Sequence, residues 1–470
     1  MTRQFFLHTL ARRYGDAIAV ASDQQQWTFR EFNCQVELLS NQLAHFGIGE
    51  NARIAIFAEN SIRYLTLLSA LWRLAAVAVP ISTRWPVKLI QQALERMNCN
   101  TVFSDRTLEM AEPIQIVSLN EFHGDPSLVP TPGFSARKSC TVLFTSGSTG
   151  LPKAVMHTLE SHLYNARGAN RNIPLGPGDR WLLSLPLYHI GGMAIFFRTL
   201  SSGAASVVPN PLQTLKWNLA HLAVTHVSLV ATQLYRLLQD DDYASLCLLK
   251  AILLGGSAIP ETLFTRCLQE KFPIFRSYGC TEMASQVTTT RADDPPLKLL
   301  TSGKPLPYRE ISISKDGEIL VRGKPLFSGY IHGTRVDSAV DDAGWFHTGD
   351  LGSIDADGYL MVIGRRDNMF VSGGENIHPE EIEAALLQHD QVENAVVVPI
   401  PDPEFGHRPV AFLKSSADIN SDLKFGEFLK TLLPKFKIPI AFFDMPQEIG
   451  DSPKPSRTKL QEMALARLGR

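Results

Sequence analysis

Up to about residue 365 the chain alternates short apolar, β-prone runs with helical patterns, which leaves few architectures open. Arg53–Ala58, Ala251–Leu254 and Ile274–Tyr278 read as strands, and Glu261–Lys271 reads as a helix between the last two. Strands separated by helices call for an α/β fold of layered, mostly parallel sheets. The greasiest stretch, Leu65–Ile81, is interrupted by Arg73 and Pro80. It therefore reads as a buried helix feeding a strand, not as a membrane span. Gly317–Gly323 opens a later, more β-rich segment.

At Gly364-Arg365-Arg366-Asp367-Asn368 the pattern restarts. Beyond it a Gly373-Gly374 turn leads to a helix over Pro379–Gln388, strands over Asn394–Ile400 and Pro409–Lys414, and a helix over about Leu423–Leu433. Pro379 opens the first helix with Glu380, Glu381 and Glu383 near its positive end, and Ile382, Ala385 and Leu386 form its apolar stripe. The reading predicts a large domain over residues 1–365 and a small α+β domain over 366–470. The charged junction serves equally as a solvated linker or a rotating hinge.

A length of 470 residues fits such a division, and a net charge of −2 gives no footprint for nucleic acid or an anionic membrane. The six cysteines lack CxxC spacing and read as reduced thiols, and the N-terminus lacks a signal-peptide pattern. A cytoplasmic protein is expected.

The chemically telling segment is Thr145-Ser146-Gly147-Ser148-Thr149-Gly150-Leu151-Pro152-Lys153. Glycines let backbone N–H groups approach anionic oxygens, hydroxyls add donors and the lysine adds a charge, so the loop suits a polyphosphate. The apolar runs Thr141–Phe144 and Ala154–His157 on either side predict a strand–turn–strand hairpin. A kinase or ATPase P-loop instead needs Gly-Lys-Ser/Thr opening a helix. Here Lys153 lies between Pro152 and Ala154, which disfavours a P-loop ATPase or phosphotransferase.

Several further segments fall in order along the chain: Trp27-Thr28-Phe29-Arg30-Glu31-Phe32, Pro186-Leu187-Tyr188-His189, Gly255-Gly256-Ser257-Ala258 and Tyr278-Gly279-Cys280-Thr281-Glu282. Trp345-Phe346-His347-Thr348-Gly349-Asp350, Gly364-Arg365-Arg366-Asp367 and Pro453-Lys454-Pro455-Ser456-Arg457-Thr458-Lys459 follow. With the 145–153 loop they resemble, over nearly the whole chain, the adenylate-forming superfamily of acyl-CoA synthetases, adenylation domains and luciferases. The resemblance implies that an acid reacts with ATP to give an acyl-adenylate and pyrophosphate, and that the acyl group then passes to the thiol of CoA.

It also implies roles. The 145–153 loop would hold the triphosphate, and Glu282 would bind Mg²⁺ as a hard oxygen ligand. Thr281 would reach phosphate, while Tyr278 with Gly255, Gly256 and Gly279 would face adenine. Asp350 would accept the ribose hydroxyls, supported by Arg365. Lys459 would balance the anionic nucleophile and the α-phosphate, although Thr458 stands where the family usually has glycine. The small domain would rotate about Asp367, bringing Gly373 and Gly374 to the CoA channel. His189, read as buried, would move aside for the thiol. Cys280 reads as a packed thiol.

More narrowly, Trp181–His189, Ser228–Leu238 and Phe405–Ala411 resemble the bacterial o-succinylbenzoate–CoA ligases of menaquinone biosynthesis. Their acid has two carboxylates, one activated and one to be recognised, and a buried carboxylate wants a fork of cationic donors. Arg198 is the first choice, with Gln233 as a neutral donor beside Gly256 and Ser257, and Arg236 is the alternative. A ligase for another aryl or fatty acid would need no such cation.

Overall fold

A local signal at Thr28 sets one of the first long helices. Its hydroxyl accepts the Glu31 N–H at 3.2 Å while Glu31 accepts the Thr28 N–H at 2.8 Å. This reciprocal cap starts helix Phe29–His45. Phe29 and Phe32, next to the cap, are fully buried, which contributes about 1.5–3 kcal/mol each. The Trp27–Phe32 motif is thus a folding signal.

A computed structural model describes residues 4–129, 133–145, 152–239, 243–256, 259, 261–372, 375–403, 405–415, 422–446 and 456–469. Among these, two large sheets dominate the N-terminal part. In the nine-stranded sheet, Ile274–Cys280, Ala251–Leu254, His226–Leu229, Arg180–Leu182, Ala205–Val207 and Ile18–Ala21 lie side by side and parallel. In the eight-stranded sheet, the expected hairpin forms from Ser139–Thr145 and Lys153–Thr158, paired antiparallel with Thr145 opposite Lys153. Helices Ile62–Arg73, Leu159–Asn172 and Ile190–Ser202 contribute apolar faces to one shared core. A four-stranded antiparallel sheet, Arg309–Ile313, Glu318–Gly323, Phe346–Ile354 and Leu360–Arg365, leads to the junction.

The small C-terminal domain has its own sheet and core. Long antiparallel strands Val392–Asp402 and Gly406–Ser415 are flanked by Phe370–Ser372 and Phe442–Asp444, and helices Pro379–Leu386 and Asp422–Lys430 cover one face. Both helices end two to three residues earlier than their apolar periodicity predicts, whereas the strands run longer. Strand length is set by cross-strand pairing, which period alone does not reveal. No helix among the described residues is long and apolar enough to cross a membrane.

Candidate active site

The C-terminal ends of the parallel strands, where ligands bind in open α/β sheets, carry several of the residues singled out from sequence. Gly255 and Gly256 follow strand Ala251–Leu254, and Tyr278 and Gly279 lie near the end of Ile274–Cys280. A Cβ on Gly279 would collide with the Ser285 carbonyl oxygen of the neighbouring strand. Strand pairing therefore already requires that glycine.

Tyr278 is 9 % exposed and packs in the core with Val155, Met283 and Ile319. Its hydroxyl donates to Asp350 Oδ2 at 2.6 Å. Burial, then the Asp350 charge, pushes the phenol well above its usual range, so it remains a donor. Arg365 Nη1 donates to Asp350 Oδ1 at 2.9 Å and to the Thr348 carbonyl at 3.0 Å. Asp350 is thus oriented from both sides by groups 72 and 15 residues away. The family resemblance places Arg365 beside Asp350 and gives Tyr278 an aromatic face, with no hint of its hydroxyl's bond to Asp350.

Across from this carboxylate, Glu282 lies in a short 3₁₀ turn, Thr281–Met283, and accepts the Tyr330 hydroxyl at 2.7 Å through Oε1. Lys153, exposed at the start of its strand, places its ammonium 5.1 Å from the Tyr330 ring centroid. Lysine, tyrosine and carboxylate thus meet beside the hairpin. Among the described residues no three acidic, histidine or cysteine side chains converge as a metal cage. Glu282 fits Mg²⁺ held by one carboxylate together with substrate phosphates, the usual mode for this cation. Burial, then the nearby Glu282 charge, raises the Cys280 thiol well above its ordinary value, which suits a packed thiol and not a nucleophile.

A buried charge lies on helix Ile190–Ser202. Arg198 is 1 % exposed. Nη1 donates to Gln286 Oε1 at 2.8 Å, Nε donates to Asn170 Oδ1 at 3.2 Å, and the guanidinium sits 4.0 Å from the Trp181 ring centroid. Nη2 is buried without a hydrogen-bond partner among the described residues. Arg309, also buried, donates to the backbone carbonyls of Gln286, Asn165 and Pro307. Burial pulls both guanidiniums down to about 9, with the Arg309 charge adding to the shift at Arg198. No carboxylate pairs with either among the described residues, so two cations are buried without a counter-ion.

A hydrogen-bonded chain links this region to Gln233. Trp181 Nε1 donates to Ser228 Oγ at 3.1 Å, Ser184 Oγ donates to the Ser228 carbonyl at 2.5 Å, and Gln233 Nε2 reaches the Ser184 carbonyl at 3.5 Å. Gln233 Oε1 accepts the Val230 N–H at 3.1 Å, so much of this side chain caps its own helix. Arg236 is exposed, which favours Arg198 over it. Gln286 and Arg309 lie in no motif of the sequence, and Trp181 stands in one without a role assigned to it; burial brings all three into view.

His189 is corrected: it is exposed, not buried, and precedes helix Ile190–Ser202 with its ring 4.7 Å from that of Tyr188. Asn60 fixes the loop leading to it. Its Nδ2 donates to the Leu183 and Leu185 carbonyls at 3.0 and 2.9 Å, and its Oδ1 accepts the Leu187 N–H at 2.9 Å. At the junction, Arg366–Asn368 forms a 3₁₀ turn, and Arg365 lies 3.5 Å from Asp367. Lys459 is exposed in the first turn of helix Arg457–Arg467, whose start is capped by Ser456. Thr458 lies inside this helix and is not among the positive-φ residues, so the usual glycine's freedom is not required. Ser146, Gly147, Ser148, Thr149, Gly150, Ser257, Gly373 and Gly374 lie outside the described residues.

One titrating group touches the Thr348-Gly349-Asp350 turn. His347 Nδ1 lies 2.9 Å from Glu318 Oε2 and Nε2 lies 3.4 Å from Asp341, and hydrogen bonding to Glu318 holds the imidazole above its usual 6.5. Glu318 is buried, which opposes its ionisation. The His347 hydrogen bond, the Gly349 N–H at 2.9 Å and Arg366 at 3.3 Å nevertheless bring its carboxyl below the ordinary range. A raised histidine pKa stabilises the fold fully below 6.5 and loses that contribution as pH rises through the folded value. The melting-temperature advantage of wild type over His347→Gln should therefore be present at about pH 6 and shrink toward about pH 9. A constant difference across that range would remove the charge interaction from the account.

Comparison with known proteins agrees with this geometry. Residues 7–331 match the AMP-binding enzyme family and residues 381–446 match the AMP-binding enzyme C-terminal domain. The chain is 35% identical to 2-succinylbenzoate–CoA ligase of Escherichia coli (strain K12), over 95% of each chain. It superposes on o-succinylbenzoate CoA synthetase from Bacillus subtilis in complex with the acyl-adenylate intermediate at TM-score 0.88, with 30% identity over 97% of this chain and 98% of that one. The same enzyme with ATP and magnesium ion gives 0.86 at 30% identity, covering 97% and 99%. A double mutant of it bound with its product analogue gives only 0.73 at 29% identity, covering 97% and 98%. Extending over both regions of the chain, these matches place it in the adenylate-forming AMP-binding enzyme family.

Proposed function

We propose that this protein is an ATP-dependent acid–thiol ligase that converts 2-succinylbenzoate to its CoA thioester through an acyl-adenylate, a step of menaquinone biosynthesis. The observation that carries the choice of acid is the buried Arg198 guanidinium, whose Nη2 lacks a partner among the described residues. A ring carboxylate entering there would supply the missing counter-ion, and a monocarboxylic fatty acid would not. The similarity to 2-succinylbenzoate–CoA ligases over 95% of the chain supports the same reading.

In this scheme Asp350, preset by Tyr278 and Arg365, accepts the ribose hydroxyls. Lys153 and the hairpin loop neutralise the triphosphate. Glu282 would hold Mg²⁺, and the ion would supply Lewis-acid stabilisation of the departing pyrophosphate. The succinyl carboxylate attacks the α-phosphorus, with Lys459 balancing the added negative charge. Rotation about Asp367 then exchanges the lysine for a channel formed with Gly373 and Gly374, and the exposed His189 gates the CoA thiol. The six unpaired cysteines support a cytoplasmic location.

Purified protein given ATP, Mg²⁺ and a panel of acids should release pyrophosphate and AMP, fastest with 2-succinylbenzoate. ADP and phosphate as products would overturn the ligase assignment. A preference for an acid without a second carboxylate would overturn the choice of substrate.

A further inference from the structure

The helix that carries Lys459 is tied to the residue after Asp367 through one carboxylate. Arg457, two positions before the lysine, donates from Nη1 to Glu383 Oε1 and to the Val397 carbonyl, each at 2.5 Å. Its Nη2 donates to Glu383 Oε2 at 2.9 Å and reaches Glu380 Oε1 at 3.4 Å. The same Glu380 oxygen accepts Asn368 Nδ2 at 2.5 Å. The other oxygen of Glu380 is buried and unpartnered among the described residues, and a Cβ on Gly364 would lie 2.8 Å from it.

Three segments therefore meet: the junction at 364–368, helix Pro379–Leu386 with Glu380 12 residues after Asn368, and the start of helix Arg457–Arg467, 77 residues beyond Glu380. A bidentate arginine–carboxylate pair fixes orientation as well as distance. Among the described residues the helix start is otherwise held by its cap, by Gln461 Nε2 donating to the Pro399 carbonyl at 3.0 Å, and by its apolar face. Its cap is a long 3.5 Å hydrogen bond from the Lys459 N–H to Ser456 Oγ, and Leu460 and Ala464 are its buried residues.

We propose that Arg457 is a positioning residue of the adenylation half-reaction. With Glu380 it locks the first turn of the lysine-bearing helix to the segment leaving the junction, so that rotation at Asp367 delivers Lys459 as part of one rigid body. The inference rests on the assignment of Lys459 made under the proposed function. A purely structural clamp would matter equally to both half-reactions, whereas a positioning residue matters only while Lys459 is in use.

The test uses the full-length protein as Arg457→Lys, Glu380→Gln and Lys459→Ala. The readouts are ATP–pyrophosphate exchange with 2-succinylbenzoate, conversion of supplied 2-succinylbenzoyl-adenylate and CoA to thioester, and the melting temperature. Arg457→Lys keeps the charge but loses the fork, and Glu380→Gln leaves the Arg457–Glu383 pair in place. Both should slow exchange by about ten- to a hundredfold while thioester formation stays within about twofold of wild type. Equal loss in both half-reactions would overturn the proposal, as would undiminished exchange in these variants when Lys459→Ala has lost it. Should Lys459→Ala exchange normally, the lysine assignment fails and the proposal fails with it.

Discussion

Arg198→Ala should lower kcat/KM for 2-succinylbenzoate by about 2–5 kcal/mol of transition-state stabilisation, roughly thirty- to several-thousand-fold. The argument rests on what surrounds the guanidinium. Two of its nitrogens are engaged by the amide oxygens of Gln286 and Asn170, its face by Trp181, and Nη2 by nothing among the described residues. Neutral amide oxygens orient the fork without cancelling its charge, and Arg309 adds repulsion. On the proposed role, a carboxylate bound at Nη2 would recover the attraction that the free protein lacks, and the alanine variant would leave that carboxylate buried alone. Use of an acid identical except for the missing ring carboxylate, 3-benzoylpropionate, should change little. Equal loss with both acids would show that Arg198 supports the fold and not recognition. The volume-matched variant Arg198→Met sharpens the test. Removing an unpaired buried charge should hold or raise the melting temperature of the free protein even as use of 2-succinylbenzoate collapses.

The second large effect separates the two half-reactions. Lys459→Ala should reduce acyl-adenylate formation by about 10²–10³-fold and still convert supplied adenylate and CoA to thioester. Asp367→Pro should do the reverse. Proline at the centre of the Arg366–Asn368 turn fixes one backbone torsion, so the adenylation arrangement survives and the rotation stalls. Adenylation is the expected survivor because this chain superposes on the acyl-adenylate complex at 0.88 but on the product-analogue complex at 0.73, with identity nearly the same. Rapid-quench measurement of enzyme-bound adenylate and of acyl-CoA decides the matter. Parallel loss of both steps in Lys459→Ala, or a fully active Asp367→Pro enzyme, would end the domain-rotation account.

Much of this is legible in the sequence itself. Turn chemistry and apolar runs predicted the hairpin joining Thr145 to Lys153, and proline and glutamates predicted the start of helix Pro379–Leu386. Those are local signals, set by a few neighbouring residues. A signal present but unread was Thr28-x-x-Glu31, whose spacing is that of a capping box. What escaped is non-local. Arg198 and Gln286 are 88 residues apart, Asn60 and the loop it pins are more than 120 apart, and Arg309 reaches Asn165 across 144. No periodicity connects such pairs, because their proximity follows from sheet order. The exposure of His189 escaped for the opposite reason. Its apolar neighbours suggested an interior, but a helix entry point faces outward.

The two uncompensated arginines bear on how long the molecule persists in a cell. A site that destabilises the folded chain when empty and relieves that penalty when filled makes survival conditional on supply. By mass action, a ligand that binds only the folded form lowers the unfolded fraction exposed to proteases. Cells starved of the dicarboxylic acid would clear the enzyme faster than cells rich in it, with no change in its gene's expression. Abundance would follow the flux that the enzyme serves.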